Sequence, residues 1–410
     1  MKPPPIGRAL IIVQSTALGG MERHSAEVAA ELARRGTLVM AAVPSGPAFD
    51  PLGAALRRGG AEVLRIETDA RHGRAPQLRG IARLASSAHS FAPDVVHLHV
   101  GGATGGLATV LMARMATRAV VVVTEHDVPS PNPSAKQRLT RGLMDSALHA
   151  LVAISRLNAK GRLERLGAPA GKLAVVLNGV DLPILTPADS AANRERIRAR
   201  LGLASDETVI GSVVRLAPGK GLTTLLRAFA LVNAQHDARL LLVGGGPLEA
   251  ELRSLARDLG VQDRVLMAGH QADPSAYVDA MDVFVLPVPV GSGSIALIEA
   301  MARGRAPVIT FGDGEEAVVH ERTGLWSPPE NPEALASAIL RLCIDPELRE
   351  RLGAEAARHV SRHYSIQRNT DDLVDVYLSA RRGSIPLGLR ATDPRDPQPG
   401  NRRLNSLHAS

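Results

Sequence analysis

Short β-branched runs take turns with longer stretches of helical spacing along almost the whole chain, and this alternation constrains the fold more than any other feature. In the first half "ALIIVQS", "TLVMAAV", "AEVLRI", "DVVHLHV", "AVVVVTE" and "ALVAIS" read as strands. Between them lie segments such as "MERHSAEVAAELARRG", whose apolar residues recur at three- and four-residue spacing. In the second half the strand candidates are "TVIGSVV", "RLLLVGG", "RVLMAGH", "VFVLP" and "APVITF". Helices fit "LTTLLRAFALVNAQ", "LEAELRSLARDLG", "DPSAYVDAMD", "ALIEAMARG" and "NPEALASAILRLCID". Such alternation predicts an α/β fold in which parallel sheets are covered by helices on both faces.

The pattern occurs twice, and 410 residues suffice for two domains with separate cores. We therefore expect Rossmann-like domains over residues 1–182 and 183–382. The break falls near "NGVDLPILTPADSAANRE", whose Pro, Asp and Ser content reads as a linker. Beyond Arg382 the tail 383–410 is rich in Pro, Gly and Arg without apolar periodicity, and is expected to be disordered.

Composition excludes several classes. The longest apolar candidate, "LATVLMARMATRAVVVV", is interrupted by Arg114 and Arg118 and falls short of the roughly 20 residues that span a bilayer. The apolar stretch near the N-terminus is too short for a signal peptide. Cys343 is the single cysteine, so no internal disulfide forms, and the expectation is a cytoplasmic protein. Lys and Arg outnumber Asp and Glu by 22 to 14 in residues 1–190, whereas residues 191–380 carry 20 against 25. A basic first half suits either an anionic surface or substrate, or simple solubility. Nucleic acid fits poorly, because no binding signature is present and aromatic residues for base stacking amount to 2%.

Parallel sheets bind ligands at the carboxyl ends of their strands, so the loops after strands hold the candidates. Gly19 and Gly20 precede a helix, where bare backbone lets an anion approach unpaired N–H groups; a plain tight turn is the simpler reading. His97 and His99 share one strand face and, with His126 and Asp127 of "TEHD", are candidates for a metal site. No further cluster completes a ligand set, so the pair reads as structural or substrate-lining. "TEHD" itself is either a polar site or an exposed charged loop.

In "GSVVRLAPGKGLTTLL", Arg215 closes a strand and Lys220 stands between Gly219 and Gly221 just before a helix. Two cations with glycines at a helix N-terminus make a diphosphate-site candidate. The stretch is not a Walker loop, since Gly221 follows the lysine instead of Ser or Thr. "GGGP" places Gly244 and Gly246 like a dinucleotide fingerprint, but Glu249 holds the last glycine position, leaving an NAD-dependent oxidoreductase as a weakly supported rival. Finally "GSGS" leaves backbone N–H groups uncovered before "IALIEAM", with Glu299 one or two turns into the helix.

The order and spacing of "GGMERH", "DVVHLH", "TEHD", "VLNGVD", "RLAPGKG", "LLLVGGGP" and "SIALIEAMARGRAPVI" resemble the family 4 retaining glycosyltransferases of the GT-B fold, from about Arg8 to Arg382. The resemblance implies two Rossmann-like domains facing across a cleft, the first binding an acceptor and the second a nucleotide-sugar donor. The last helix, at about 365–382, would cross back to the first domain. Arg215 and Lys220 would bind the donor diphosphate, assisted by backbone near Gly293, Ser294 and Ile295. Glu299 would bond the ribose hydroxyls, and the base would lie near His270 and Gln271. His126 would stand near the transferring sugar, Gly19 and Gly20 against the donor phosphate, and Gly246 within the donor loops.

No metal or other cofactor is implied; the nucleotide sugar is a co-substrate, with a uridine-diphosphate sugar favoured and guanosine-diphosphate mannose next. The acceptor would be a glycan, a lipid-linked intermediate or a small molecule. Peripheral contact with an anionic membrane would fit the basic first half. One departure stands out: the family's first glutamate, eight positions before Glu299, is Gly291 here. A charge-assisted hydrogen bond of roughly 1.5–3 kcal/mol is thereby missing. Altered sugar preference is the expectation, with a non-catalytic nucleotide-sugar-binding relative as the alternative.

Overall fold

The computed structural model describes residues 5–67, 74–101, 106–181, 187–271, 273–289, 293–310 and 316–391. The chain forms two units, one running to Asp181 and resuming at Ser365, the other extending to Tyr364.

In the first unit the strands are β1 (Arg8–Gln14), β2 (Leu38–Pro44), β3 (Glu62–Ile66), β4 (Val95–Val100), β5 (Val120–Glu125), β6 (Ala150–Ala153) and β7 (Leu173–Val175). They form one sheet in the order β3-β2-β1-β4-β5-β6-β7, parallel throughout. The helices are α1 (Gly20–Arg34), α2 (Asp50–Arg58), α3 (Arg74–Phe91), α4 (Leu107–Ala116), α5 (Ala135–Ala147) and α6 (Arg156–Leu166). Strand residues alternate between two cores, as the two-residue period requires. Ile11, Val13, Val122 and Val152 pack with α1, α2 and the last helix of the chain. Leu10, Ile12, Val121 and Val123 pack with α3, α4 and α5.

The second unit holds β8 (Thr208–Val213), β9 (Ala238–Val243), β10 (Val265–Gly269), β11 (Val283–Leu286), β12 (Ala306–Thr310) and β13 (Leu325–Ser327), in the order β10-β9-β8-β11-β12-β13. This sheet is also parallel. Its helices are α7 (Pro187–Leu201), α8 (Leu222–Asn233), α9 (Glu249–Asp258), α10 (Ser275–Val278), α11 (Ile295–Ala302), α12 (Pro332–Ile344) and α13 (Pro346–His363). Leu225, Leu226 and Phe229 of α8 meet Leu335, Ile339 and Leu342 of α12 over the central strands.

The final helix, α14 (Ile366–Arg381), belongs to the first unit. Ile366, Leu373, Val376 and Tyr377 enter the same core as α1. Gly179 permits this approach: a Cβ there would lie 2.6 Å from Ser365 O and 2.9 Å from Ile366 Cα. Asn369 Nδ2 donates to Leu177 O at 2.7 Å, and Arg35 pairs with Asp371 at 2.6 Å.

Two boundaries differ from the sequence reading. Part of the expected linker is helical, because Arg194 and Arg198 of α7 pair with Asp282 at 2.7 and 2.8 Å and fix the segment to the second unit. The expected disordered tail begins with a packed stretch: Ile385 is buried in the first unit's core, and Ala391 N donates to Leu173 O. Leu389 and Ala391 also pack against the unit's cores and Arg390 pairs with Ala174, but these contacts are too scattered along the chain for periodicity to reveal. The rest of that tail, from residue 392, lies outside the described residues. The short strands β7 and β13 were likewise too brief to register as patterns.

Candidate functional site

The strand order of the second sheet reverses between β8 and β11, the kind of switch point at whose carboxyl ends parallel sheets bind ligands. After β8 the chain doubles back, with Leu216 and Ala217 buried and Arg215 between strand and turn left exposed. Backbone bonds stitch this loop to the one after β9: Val214 N to Val243 O, Leu216 N to Gly245 O and Leu248 N to Leu216 O, each 3.0 Å. A Cβ at Gly244 would stand 2.1 Å from Val214 O, and one at Gly246 would stand 2.2 Å from Leu216 O. The glycines of "GGGP" thus serve loop-to-loop packing, which explains why the run resembles a nucleotide fingerprint without completing one.

Lys220 sits between two left-handed glycines, Gly219 at φ +76° and Gly221 at φ +67°. A Cβ at Gly221 would lie 1.7 Å from Pro287 O, so the turn into α8 rests directly on the end of β11. Gly221 is the N-cap of α8 and supplies no side-chain cap. The first turn of α8 therefore presents its backbone donors beside Lys220, with the helix dipole adding to the positive potential. Arg215 O accepts from Ala217 N at 2.8 Å, but neither the Arg215 nor the Lys220 side chain forms a hydrogen bond or ion pair with another described residue.

After β11, Gly293 at φ +64° leads into α11. Here the sequence reading needs correction: Ser294 is the N-cap and its hydroxyl accepts from Leu297 N at 3.3 Å, so the helix start is not wholly uncovered. Ile295 is buried and opens the helix, while Glu299 is half-buried one turn further on. After β10, His270 is exposed. Gln271 is held at both ends of its amide, donating to Ala268 O and accepting from Tyr277 Oη at 2.8 Å. Arg215, Lys220, Gly246, His270, Gln271, Gly293, Ser294, Ile295 and Glu299 thus share the carboxyl edge of four neighbouring strands. Gly291 lies outside the described residues.

Gly19, Gly20 and His126 belong to the first unit, at the carboxyl ends of β1 and β5. Gly19 caps α1 with an extended backbone, φ −168°, and no side-chain bond. A Cβ there would meet only Glu22 Oε2, at an ordinary 3.4 Å, so packing within the unit does not demand this glycine. Glu22 in the first turn is buried, and burial raises its carboxyl above the usual range despite a hydrogen bond from Ser15.

Four imidazoles gather in the same unit. His97 Nδ1 meets Tyr377 Oη and its Nε2 meets Thr124 Oγ1, both at 2.7 Å. His99 Nδ1 lies 3.1 Å from His126 Nε2, and the two rings stack with centroids 5.4 Å apart. His24 stands edge-on to both, and its Nδ1 meets Gly179 O at 3.1 Å. Burial lowers every one of them, His24 to about 4 and His97 to about 3. All four are neutral near pH 7, so one ring of the His99–His126 pair must donate and the other accept, which locks their tautomers together. Among the described residues no group of three or more His, Cys, Asp or Glu could hold a metal ion.

"TEHD" is a single polar site in sequence but divides in space. Glu125 turns inward, paired with Arg141 at 2.5 Å and Arg162 at 3.1 Å, while Arg162 also holds Asp145 at 2.6 Å. Strand alternation separates it from its neighbour His126. His24 and Tyr377, which complete the histidine cluster, escaped the sequence reading. The signal for His24 was its place one turn past the double glycine; nothing local marked Tyr377.

A model described as glycosyltransferase family 4 matches residues 18–183, and one described as glycosyl transferases group 1 matches residues 193–359. The chain belongs to glycosyltransferase family 4. Within the family it is 32% identical to the D-inositol 3-phosphate glycosyltransferase of Acidothermus cellulolyticus, over 70% of this chain and 67% of that one. It is 35% identical to the GDP-mannose-dependent alpha-(1-6)-phosphatidylinositol monomannoside mannosyltransferase of Mycobacterium tuberculosis, over 49% of this chain and 54% of the relative. The chain spans 50% to 60% of the length of other curated relatives. Anabaena HepE, solved in complex with UDP, superposes with a TM-score of 0.74 at 21% identity, covering 91% of this chain and 100% of that one. The two parallel sheets and their helices are those of GT-B glycosyltransferases.

Proposed function

We propose that this family 4 chain transfers a sugar from a nucleoside-diphosphate sugar to an acceptor hydroxyl, keeping the donor's anomeric configuration and using no metal. The observation that carries the reading is the pair Arg215 and Lys220, two cations without partners among the described residues, beside the uncapped N-terminus of α8. Such a cradle suits a diphosphate. From β10 to β11 is three inter-strand spacings, about 14 Å, within the span of an extended nucleotide. In this reading Glu299 bonds the ribose hydroxyls and the β10 loop takes the base. Relatives named for GDP-mannose and solved with UDP support a donor of this class. We favour a uridine-diphosphate sugar, then guanosine-diphosphate mannose. The acceptor is a glycan, a lipid-linked intermediate or a small molecule.

In the reaction the bond from the anomeric carbon to the phosphate oxygen breaks, and the acceptor oxygen bonds to that carbon on the same face. The acceptor's proton passes to the departing phosphate oxygen. Arg215, Lys220 and the α8 donors stabilise the charge that grows on the diphosphate, so no protein nucleophile is required. The neutral His126 offers a hydrogen bond to an uncharged sugar hydroxyl. The test is nucleotide release and product mass for a panel of nucleotide sugars and acceptors. Stereochemistry is read from the anomeric coupling of the product, and turnover is repeated in chelator. Inversion or chelator-sensitive turnover contradicts the mechanism. Tight donor binding without transfer or hydrolysis favours the non-catalytic reading that Gly291 raised.

A further inference from the structure

Among the described residues eight large apolar side chains are exposed, and five of them lie on three consecutive helices. Leu78 is on α3, Leu111 and Met115 are on α4, and Leu139 and Leu143 are on α5. Each pair on α4 and α5 is spaced by four residues, so its members project from successive turns of one helix face. Met115 is 87% exposed and Leu139 66%, far beyond what packing of the sheet against these helices leaves. The three helices adjoin one another and cover one face of the seven-stranded sheet, the face whose core is Leu10, Ile12, Val121 and Val123.

Their charges are of one sign. Arg79, Arg83, Arg114, Lys136 and Arg138 are exposed on the same helices. The sole acidic residue on the three is Asp145, which is buried and paired with Arg162. No exposed carboxylate on these helices offsets the cations.

We propose that the α3–α5 face of the first unit is a docking surface for an anionic lipid bilayer. Leucine and methionine side chains enter the interface while arginine and lysine meet lipid phosphates, the arrangement of a surface that lies on a membrane without crossing it. No helix among the described residues is long and apolar enough to cross one. A second copy of the chain is a poorer occupant, because a face-to-face pairing would bring like charges together. The surface lies on the helical layer and uses none of the residues assigned to donor or sugar, so it stands independently of the transfer reaction.

The experiment is co-sedimentation of the full chain with phosphatidylcholine vesicles with and without phosphatidylglycerol, at low and high salt. Binding is expected only to the anionic vesicles and is expected to weaken as salt rises. Replacing two cations, Arg114→Gln with Arg138→Gln, is expected to weaken binding roughly thirtyfold, at about a tenfold loss per 1.4 kcal/mol and about 1 kcal/mol per charge. Leu139→Ser with Leu143→Ser keeps the charge and is expected to weaken binding at both salt concentrations. These positions are exposed, so circular dichroism and turnover on a water-soluble acceptor should match the parent protein. Equal binding to neutral vesicles, no binding at all, or parent-like binding by both double variants overturns the proposal. A dimer in analytical ultracentrifugation that the leucine variants dissociate assigns the face to a second copy instead, and also overturns it.

Discussion

At the carboxyl edge of the six-stranded sheet stand two cations without side-chain partners, Arg215 exposed and Lys220 half-buried, whereas at the same edge of the seven-stranded sheet stand imidazoles taken out of water. The contrast follows from what each has to hold. A cation still in contact with solvent keeps hydration until an anion replaces it, so the exposed Arg215 and the half-buried Lys220 cost the fold little and remain available. Buried histidines do the reverse. His24, His97 and His99 give up their charge on burial and become fixed, neutral hydrogen-bonding groups suited to hydroxyls. One fold, used twice, thus offers charge in one unit and uncharged polarity in the other.

The comparison breaks most easily at the cations. Arg215→Ala and Lys220→Ala should each lower kcat/KM by about 10²–10³, the usual consequence of removing one group that stabilises charge in the transition state. Near-parent kinetics in either variant would remove the electrostatic half of the contrast.

Acid should act on the first unit next. The His24 folded-state value, about 4, lies below the free imidazole value of 6.5. The unfolded chain therefore takes up a proton first as pH falls, and stability is lost between pH 6.5 and about 4. The shift amounts to roughly 3 kcal/mol in full. Asp145, raised to about 6 by burial, works in the opposite sense, because its protonation favours the folded state as pH falls through that value. Denaturant unfolding of His24→Gln against the parent across this window isolates the histidine. An unchanged pH slope would mean that the imidazole is not held neutral.

Gly221→Ala sharpens the other side. It forces a left-handed φ on a residue with a side chain and drives a methyl into Pro287 O. The strain alone should cost roughly 1–3 kcal/mol, seen as a lower unfolding midpoint together with weakened donor binding. An effect of similar size is expected from Tyr377→Phe, which removes the hydroxyl from His97. A loss of about 1–3 kcal/mol in unfolding free energy, with α14 melting earlier by hydrogen exchange, measures how firmly the last helix fixes the cluster. No loss would show that packing alone holds it.

Much of this was legible in the linear chain for identifiable reasons. Strands of four or more residues spell recognisable apolar runs, so β1 to β6 and β8 to β12 stood out. Three-residue strands do not, and β7 and β13 passed unseen. Glycines flanking Lys220 were visible as a loop before a helix, and their left-handed backbone gives that visibility a cause. The partners of those glycines were not visible: Pro287 lies 66 positions from Gly221, and only the parallel pairing of β8 with β11 brings them together. "TEHD" misled because adjacent residues in sequence point to opposite faces at a strand end. Ser294 misled because a hydroxyl before a helix can either cap it or leave it open, and composition does not distinguish the two.

By itself the sequence determined the alternating periodicity, and with it two parallel sheets with loops at their carboxyl ends, since hydrophobic spacing is a local property of the chain. It also determined which loops carried cations and which carried histidines. Only the tertiary structure decided which groups were charged or neutral, capped or open, buried or free to meet a ligand. Those properties depend on what distant segments bring alongside: Tyr377 to His97, Arg141 to Glu125, Pro287 to Gly221. Hydration and dielectric are set by neighbours in space, and neighbours in space are not written in any one stretch of residues.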